Sequence, residues 1–513
     1  MKKIRNALIS VSNKDYLKLI LDNLKKYKIK IISSGGTYKK IKQLGYDSVE
    51  LSQYTNFPEI LSGRVKTLHP KIHAGILSRK NNKKDAKQMK QYKFEDIDLV
   101  IVNFYPFEFV LSKTNSFKKI IEQIDIGGPS LVRAAAKNHE KVTVISSIDQ
   151  YQEFVTELNK YKGTTSYKYK KRLSEEAFIE TSYYDAIIAN YFKKQSKNYF
   201  TKKQIVIGNK IENLRYGENP HQNASIYSTS IENKINQISG KKLSYNNYND
   251  LISAISISKL LPNNIGTVIV KHSNPSGVSI KKNNLESYKM AYNCDPISAF
   301  GGIVSCNFKI GKSVAYELSK KFYEIIVGKK FSKDALKILK TKQNLILIDS
   351  SQIKFTDQIE INTKLGSLFA QTTDLKPLSK KDFITVSRVK PNKQTLENLL
   401  FAFNICRFVK SNAIVITNDL STVGIGSGQT SRVDSCEIAV SKMRKFMNIN
   451  NKSNIYAASD AFFPFVDGIE KLVNSGVKAI IQPSGSIRDK EIIKFANKLG
   501  IVLVFSKKRH FKH

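Results

Sequence analysis

The chain has 513 residues, and its 84 Lys and Arg against 43 Asp and Glu leave a net charge of +41. That length exceeds a single hydrophobic core and predicts about three units at ~100–200 residues each. With 41% hydrophobic and 25% charged residues but only 12 Pro and 25 Gly, the composition excludes a disordered or fibrous chain.

The N-terminal MKKIRNALISVSNK carries an apolar run of only about five residues, too short for a secretory signal core. No stretch approaches the ~18 apolar residues of a membrane span. Cys294, Cys306, Cys406 and Cys436 show no CxxC spacing and are too few for a disulfide framework, so reduced thiols and a cytoplasmic, soluble protein are expected. The lysines are spread among Ile and Asn, as in 80–93 and 319–342, rather than gathered on one basic helix. Nucleic-acid binding is therefore not expected as the main function, because charge alone reports a field and not a site.

The first 195 residues alternate strand and helix signals: IRNALISVS, then DYLKLILDNLKKY; IKIISS, then a helix from Thr37; DLVIVNFY, then PSLVRAAAKN; and KVTVIS. Such alternation predicts a doubly wound parallel sheet with helices on both faces. A long helical pattern from Ser174 follows, and KKQSKNYFTKKQ (193–204) marks the boundary between a domain of 1–195 and a region of 205–513. Beyond it, GTVIV, GGIVSC, NAIVIT, KAIIQ and IVLVF read as strands among helices, with no short repeat period.

The loops of the first domain carry the polar residues: SVSNK (10–14), SSGGT (33–37), GRVKTLHP (63–70), NFYPF (103–107) and DIGGPS (125–130). SSGGT joins a strand to a helix and so offers hydroxyls, glycine-freed amides and a helix N-terminus to an anion. Its spacing is neither GxGxxG nor a P-loop. Arg133 and Lys137, four apart, share one helical face, and a solvated face is the plainer reading of the pair. His69 and His73 have metal-ligand spacing, but Pro70 between them disfavours one regular helix and no third ligand is near, so a structural role is expected.

In VKHSNPSGV (270–278), the β-branched run Gly266–Val270 reads as an interior strand, and Asn274-Pro275 and Ser276-Gly277 read as turn signals. Lys271 and His272 therefore fall at a strand's carboxyl end. That edge binds ligands in open α/β sheets, although a merely polar strand end fits the dipeptide alone.

Taken in order, SVSNK, SSGGT, GRVKTLHPKIHAGIL, VNFYPF, EQIDIGGPSLVRAAAKNH, LRYGENPHQ, VKHSNPSG, ISAFGGIV, VKSNAIV, GIGSGQTSRVD, SDAFFPFVDG, QPSGSIRD and RHFKH span essentially the whole chain. Together they resemble the bifunctional purine-biosynthesis family that combines AICAR transformylase with IMP cyclohydrolase. LGSLFAQTTD (365–374) departs from a glycine-rich family segment, and Ser506-Lys507-Lys508 carries more charge than the family pattern.

The resemblance implies a methylglyoxal-synthase-like N-terminal domain and a C-terminal pair of cytidine-deaminase-like α/β subdomains meeting near 365–385. It implies formyl transfer from 10-formyltetrahydrofolate to AICAR in the C-terminal region, then dehydrative closure of FAICAR to IMP in the N-terminal domain. A homodimer is implied, with no membrane or nucleic-acid partner. No metal is expected, since HxE followed by PCxxC, the deaminase zinc signature, is absent.

For transfer, the resemblance and the chemistry assign His272 as base and Lys271 as oxyanion stabiliser or acid. By resemblance, Asn412 holds the formyl oxygen and Asn247 the carboxamide. Arg215, Tyr216, Arg432 and Arg509 form the nucleotide-binding set, and Phe462 and Asp467 flank the pterin. For cyclisation, Lys66 and Tyr105 are assigned to the formyl oxygen, Asp125 and Lys137 to relay of the amide proton. Ser10, Lys14, Ser34, Gly35, Gly36, Arg64 and Thr67 are assigned to phosphate and ribose. Two readings compete: a chain that retains one activity, left open by 365–374, and a basic α/β protein that binds RNA.

Overall fold

A computed structural model describes the chain except for residues 1, 66, 80, 230–234, 355–358, 375–377 and 448–453. Two compact units emerge, Met1–Ile207 and Gly208–His513.

The first unit is built on a five-stranded sheet in the order β3-β2-β1-β4-β5, with β1 at Asn6–Val11, β2 at Lys30–Ser33, β3 at Val49–Glu50, β4 at Leu99–Asn103 and β5 at Thr143–Ile145. Every pairing is parallel, with Leu8 opposite Ile32 on one side and Val100 on the other. A central parallel strand is covered on both faces, which is why ALISV and LVIV are near-continuous apolar runs and why Leu8, Ile9, Val100 and Ile101 are buried. The long helix runs from Tyr167 to Ser196, seven residues earlier than its sequence pattern suggests. Ser166 caps it by accepting from the Tyr169 amide at 3.2 Å, and Tyr169, Leu173, Ala177 and Thr181 continue one buried face at fourfold spacing.

The second unit contains a twelve-stranded sheet. Short hairpins stand apart from it: β6 (Asn209–Leu214) with β7 (Ala224–Ser228), and β14 (Ile359–Lys364) with β15 (Ser367–Thr372). Its first half consists of β8 (Asn236–Ser239), the helix Tyr245–Leu260, the hairpin β9 (Gly266–Lys271) and β10 (Asn274–Ile280), the helix Asn284–Cys294, then β11 (Ile303–Ile310), β12 (Ile325–Phe331) and β13 (Ile346–Asp349). Its second half repeats the series: β16 (Phe383–Thr385), the helix Lys393–Cys406, the hairpin β17 (Ile414–Asn418) and β18 (Ser421–Gly426), the helix Arg432–Phe446, then β19 (Ile455–Ser459), β20 (Val477–Pro483) and β21 (Val502–Ser506).

The strand order β16-β21-β20-β19-β17-β18-β10-β9-β11-β12-β13-β8 reads alike from either end once the halves are matched. The pairings match too: the hairpin antiparallel, its first strand antiparallel to the next, and the two that follow parallel. The halves join through β10 and β18, Ser279 opposite Ser421, into one continuous sheet rather than two separate ones. In both halves a glycine lets the second hairpin strand lie against the helix that follows. A Cβ on Gly277 would meet the Ala291 carbonyl oxygen at 1.8 Å, and one on Gly426 that of Ser435 at 1.9 Å.

One expectation is corrected here. Asn274-Pro275 and Ser276-Gly277 are not turns but the start of β10, where the register shifts between Pro275 and Gly277. The chain reverses one step earlier, at His272 and Ser273, both with positive φ. A two-residue hairpin needs that left-handed pair to match strand twist, and Pro tolerates a bulged strand end because it has no ladder amide to lose.

Candidate active sites

In the first unit the loops after β1, β2 and β4 lie at the carboxyl edge of the sheet, and specific bonds sew them together. The Asn103 side-chain oxygen accepts from the amides of Ser12 (2.7 Å) and Asn13 (2.9 Å), joining the loop after β4 to that after β1. The Thr37 hydroxyl accepts from the Val11 amide at 3.0 Å and so ties the SSGGT turn to the end of β1. The Lys14 stem passes Gly36, with Cε 4.0 Å from where a Cβ would sit. Ser10, Lys14, Ser34, Gly35 and Gly36 are thus brought together.

Ser34 precedes the helix Gly35–Gln43, and its hydroxyl is buried without a hydrogen-bond partner. A buried hydroxyl without a partner at a helix N-terminus is an arrangement that can receive an anion.

A second group gathers at the start of the helix Gly127–Lys137. The Asp125 carboxylate accepts from the Gly128 amide at 2.8 Å, and the Asp125 amide donates to the Tyr184 hydroxyl at 2.8 Å. Thr67 is buried against Gly127, where any Cβ would strike its hydroxyl at 2.1 Å. Partial burial, with Asp125 and Glu59 adding negative charge, raises the Tyr105 phenol above its ordinary value, so it remains a proton donor at neutral pH. Glu59 also lines a small pocket with Ser34 and Gly35, which links this group to the SSGGT turn. Arg64 is exposed and pairs with Glu122. Lys66 lies outside the described residues.

Lys137 departs from its expected place. It is exposed and ends the helix Gly127–Lys137, about 15 Å along the axis from the first helical residue at ~1.5 Å per residue, whereas Asp125 lies just before that residue, so the two do not form a direct relay. His69 caps the helix Pro70–Leu77, its Nδ1 accepting from the Lys71 amide at 3.1 Å, with Pro70 as the first helical residue. Burial lowers the His73 pKa, which keeps it neutral. Among the described residues no group of three His, Cys, Asp or Glu is placed to hold a metal.

A cavity of about 730 Å³ lies at the opposite, amino edge of the sheet beside Ile4, Asp98 and Thr143. Two of its cations are already neutralised: Lys2 lies 2.8 Å from Asp96 and 3.3 Å from Asp98, and Lys141 lies 2.5 Å from Asp96.

In the second unit Lys271 and His272 sit at the tip of the β9–β10 hairpin. The Lys271 ammonium donates to the Phe300 carbonyl at 2.6 Å, in the ISAFGG loop before β11, while His272 is exposed. The second half reaches this tip by two routes. The Asn274 side-chain oxygen accepts from the Lys410 amide at 2.8 Å, and the ammonium of the half-buried Lys512 donates to the carbonyls of Ser273 (3.3 Å) and Phe408 (3.2 Å). Asn412 therefore lies on the segment docked beside Lys271-His272.

Three assigned residues have their polar groups occupied. The Asn412 oxygen accepts from Arg432 Nη2 at 2.7 Å, and its nitrogen donates to the carbonyls of Gln429 (2.8 Å) and Thr430 (3.1 Å), which leaves no N–H for a formyl oxygen. Arg432 is buried, donates to Ser459 Oγ at 2.8 Å and pairs with the fully buried Asp460, so it faces a carboxylate rather than a phosphate. Asn247 is buried at the third position of its helix; its oxygen accepts from the Ser244 amide (3.2 Å) and its nitrogen donates to Glu324 (2.8 Å). In each case residues of the chain itself hold the side chain: Arg432, Gln429 and Thr430 for Asn412, Ser459 and Asp460 for Arg432, and Ser244 and Glu324 for Asn247.

Arg215, stacked on Tyr216 at 5.1 Å, and Arg509, stacked on Phe511 at 4.4 Å, are both exposed. Phe462 is half-buried after β19, and the exposed Asp467 begins the helix Asp467–Asn474. Sequence reasoning missed Asp250, Asp460 and Lys512. Asp460 and Lys512 carried a signal, since they stand inside the SDAFFPFVDG and RHFKH stretches, whereas Asp250 stands in none of them.

These features define a two-unit α/β enzyme with separate polar loop clusters. A family described as "AICARFT/IMPCHase bienzyme" matches residues 135–442, and an "MGS-like domain" matches residues 18–130. "Bifunctional purine biosynthesis protein PurH" of Leptospira biflexa serovar Patoc is 41% identical over 516 residues, covering 100% of both chains. The protein of the same description from Caldicellulosiruptor saccharolyticus is 43% identical over 523 residues, covering 99% of this chain and 100% of its own. A solved structure described as "Crystal structure of ForH" covers 37% of this chain and 96% of its own at 29% identity, with a TM-score of 0.34, too low to speak for the fold. The chain belongs to the AICARFT/IMPCHase bienzyme family.

Proposed function

We propose that the two activities of this bifunctional purine-biosynthesis enzyme are divided between its units: formyl transfer to AICAR at the β9–β10 tip of residues 208–513, and closure of FAICAR to IMP at the carboxyl edge of residues 1–207. The single observation that carries the division is the docking of the Lys271-His272 tip beside the Asn412 segment through Asn274 and Lys512, all within one unit.

The AICAR amine is a weak nucleophile because its lone pair is delocalised into the ring. His272 takes its proton as it attacks the formyl carbon of 10-formyltetrahydrofolate, and the Lys271 ammonium stabilises the oxyanion or protonates the departing folate nitrogen. Arg215 and Arg509, exposed and with guanidiniums suited to forked contact, bind the nucleotide together with Tyr216. Phe462 and Asp467 flank the pterin. Asn412 and Arg432 shape the site through their bonds to each other, and Asn247 supports it through Glu324.

For ring closure the carboxamide nitrogen attacks the formyl carbon and water leaves. The protonated Tyr105 phenol and Lys66 serve the formyl oxygen, Asp125 accepts the amide proton, and Ser10, Lys14, Ser34–Gly36, Arg64 and Thr67 hold phosphate and ribose. The enzyme acts as a cytoplasmic homodimer without a metal. Among the described residues no helix is long and apolar enough to cross a membrane.

The test is a time course on the full chain that follows AICAR, FAICAR and IMP separately, with folate present and with supplied FAICAR alone. Ser34→Ala is expected to raise KM for FAICAR about tenfold, the scale of one lost hydrogen bond to a charged group, while transfer and melting temperature stay unchanged. A variant with unaltered FAICAR binding removes Ser34 from the phosphate site.

A further inference from the structure

The tip that carries His272 is held by a carboxylate with no place among the substrate contacts. His272 and Ser273 have φ of 51° and 58°, a left-handed conformation that side chains disfavour. In a two-residue hairpin the flanking pair, here Lys271 and Asn274, completes the ladder, and the two central amides normally face water. Here both are taken by Asp250: Oδ2 accepts from the His272 amide at 3.2 Å, and Oδ1 from the Ser273 amide at 2.6 Å and its hydroxyl at 3.2 Å. One turn further along the same helix, Ser253 donates to the Ser273 carbonyl at 2.9 Å, and Asn274 Nδ2 donates to that of His272 at 3.2 Å.

The second half contains a natural comparison. Its hairpin turns at Asp419 and Leu420, also left-handed at 44° and 56°. Asn398 is the sixth residue of the helix Lys393–Cys406, as Asp250 is of the helix Tyr245–Leu260. The Asn398 oxygen accepts from the Leu420 amide at 2.8 Å, while its nitrogen donates away, to the Gln394 carbonyl at 3.1 Å. A carboxamide offers one acceptor oxygen and clamps one amide; a carboxylate offers two and clamps both. The buried neutral clamp holds the turn without assigned chemistry, and the half-buried charged clamp holds the turn with the base.

We propose that Asp250 is the positioning residue for formyl transfer: by gripping both amides of the left-handed turn it aims the His272 imidazole at the nucleotide amine, an inference that rests on the reading of His272 as the base. Asp250 touches no substrate, so its loss acts on kcat rather than on KM for AICAR. Misplacement of a reacting group by ~1 Å costs ~10²-fold, and a single remaining acceptor leaves a smaller loss.

The experiment compares Asp250→Asn, Asp250→Ala, Asp250→Ala with Ser273→Gly, and His272→Ala in the full chain. It measures kcat and KM for transfer, with cyclisation of supplied FAICAR as the control in the same preparation. The expected result is a ~10-fold fall in transfer kcat for Asp250→Asn and ~10²-fold for Asp250→Ala, with KM and cyclisation unchanged. Ser273→Gly is expected to restore much of the Asp250→Ala loss, because glycine adopts the left-handed conformation without strain.

If His272→Ala abolishes transfer while both Asp250 variants keep wild-type kcat, the clamp is wrong and the base assignment stands. If His272→Ala keeps wild-type transfer, the underlying reading fails instead. A loss that glycine does not rescue, or that raises KM in step with it, makes Asp250 merely structural and overturns the proposal. Should Asp250→Ala not fold, the kcat and melting temperature of Asp250→Asn decide it: reduced kcat at unchanged melting temperature supports the clamp, and wild-type kcat overturns it.

Discussion

The two halves of the 208–513 unit run the same elements in the same order, yet their first hairpins end differently. One turns at His272-Ser273 after a lysine, with Asp250, Ser253, Asn274 and Lys512 bonded to it. The other turns at Asp419-Leu420, held by Asn398 and by Lys281, whose ammonium donates to the Asp419 carbonyl at 2.8 Å. The repeated fold therefore supplies the left-handed turn for nothing more than strand twist. On the proposed reading, the chemistry rests on the tip residues of one copy and the groups that grip them. The half without an assigned base contributes in another way, through the Asn412–Arg432–Asp460 cluster docked beside the first tip.

The comparison breaks hardest at that cluster. Asp460→Ala leaves the buried Arg432 guanidinium unpaired and is expected to cost about 3–5 kcal/mol, read as a large fall in denaturation midpoint; adding Arg432→Met recovers most of it. Next in size, Lys271→Ala is expected to lower transfer by ~10²-fold while supplied FAICAR still cyclises, and Lys66→Ala to do the reverse, as measured in the separated time course. Equal damage to both steps from either change ends the two-site division. At the other tip, Asn398→Ala removes one buried hydrogen bond, for about 1 kcal/mol of stability, and is expected to leave transfer kcat unchanged. A loss of transfer there means that the turns are not independent.

The smallest effect sharpens the contrast through pH. Burial, with Lys410 close by, lowers the Lys512 pKa below 10.5 in the folded state. The unfolded chain then binds more protons than the folded one between the two pKa values. Stability should therefore rise with pH across that window, and the penalty should vanish above it. Urea unfolding of wild type against Lys512→Met at pH 8 and pH 10 is expected to show the difference moving in favour of wild type at the higher pH.

Much of this was open to reading in one dimension. The β-branched runs GTVIV, NAIVIT and IVLVF are interior strands because both sheet faces are covered, and the polar loops of the first unit follow its parallel strands because a right-handed crossover brings them to one edge. Lys271 and His272 could be placed at a strand end from Gly266–Val270 alone, and the ordered motifs carried the family.

Tertiary structure decided the partnerships. Asn274-Pro275 looks like a turn in the sequence, but the reversal falls at His272-Ser273 because Asp250, 22 residues upstream, takes both amides. Asn412, Asn247 and Arg432 read as substrate contacts in the sequence, which shows nothing of the bonds they make to Arg432, Glu324 and Asp460. Lys137 and Asp125 stand twelve residues apart and look like neighbours in a motif, but the helix between them holds them at its opposite ends. Hydrophobic periodicity and turn chemistry are local and survive in the sequence. A hydrogen bond between residues such as Lys512 and Ser273, 239 positions apart, exists only once the fold has brought both together, and no pattern in either neighbourhood records it.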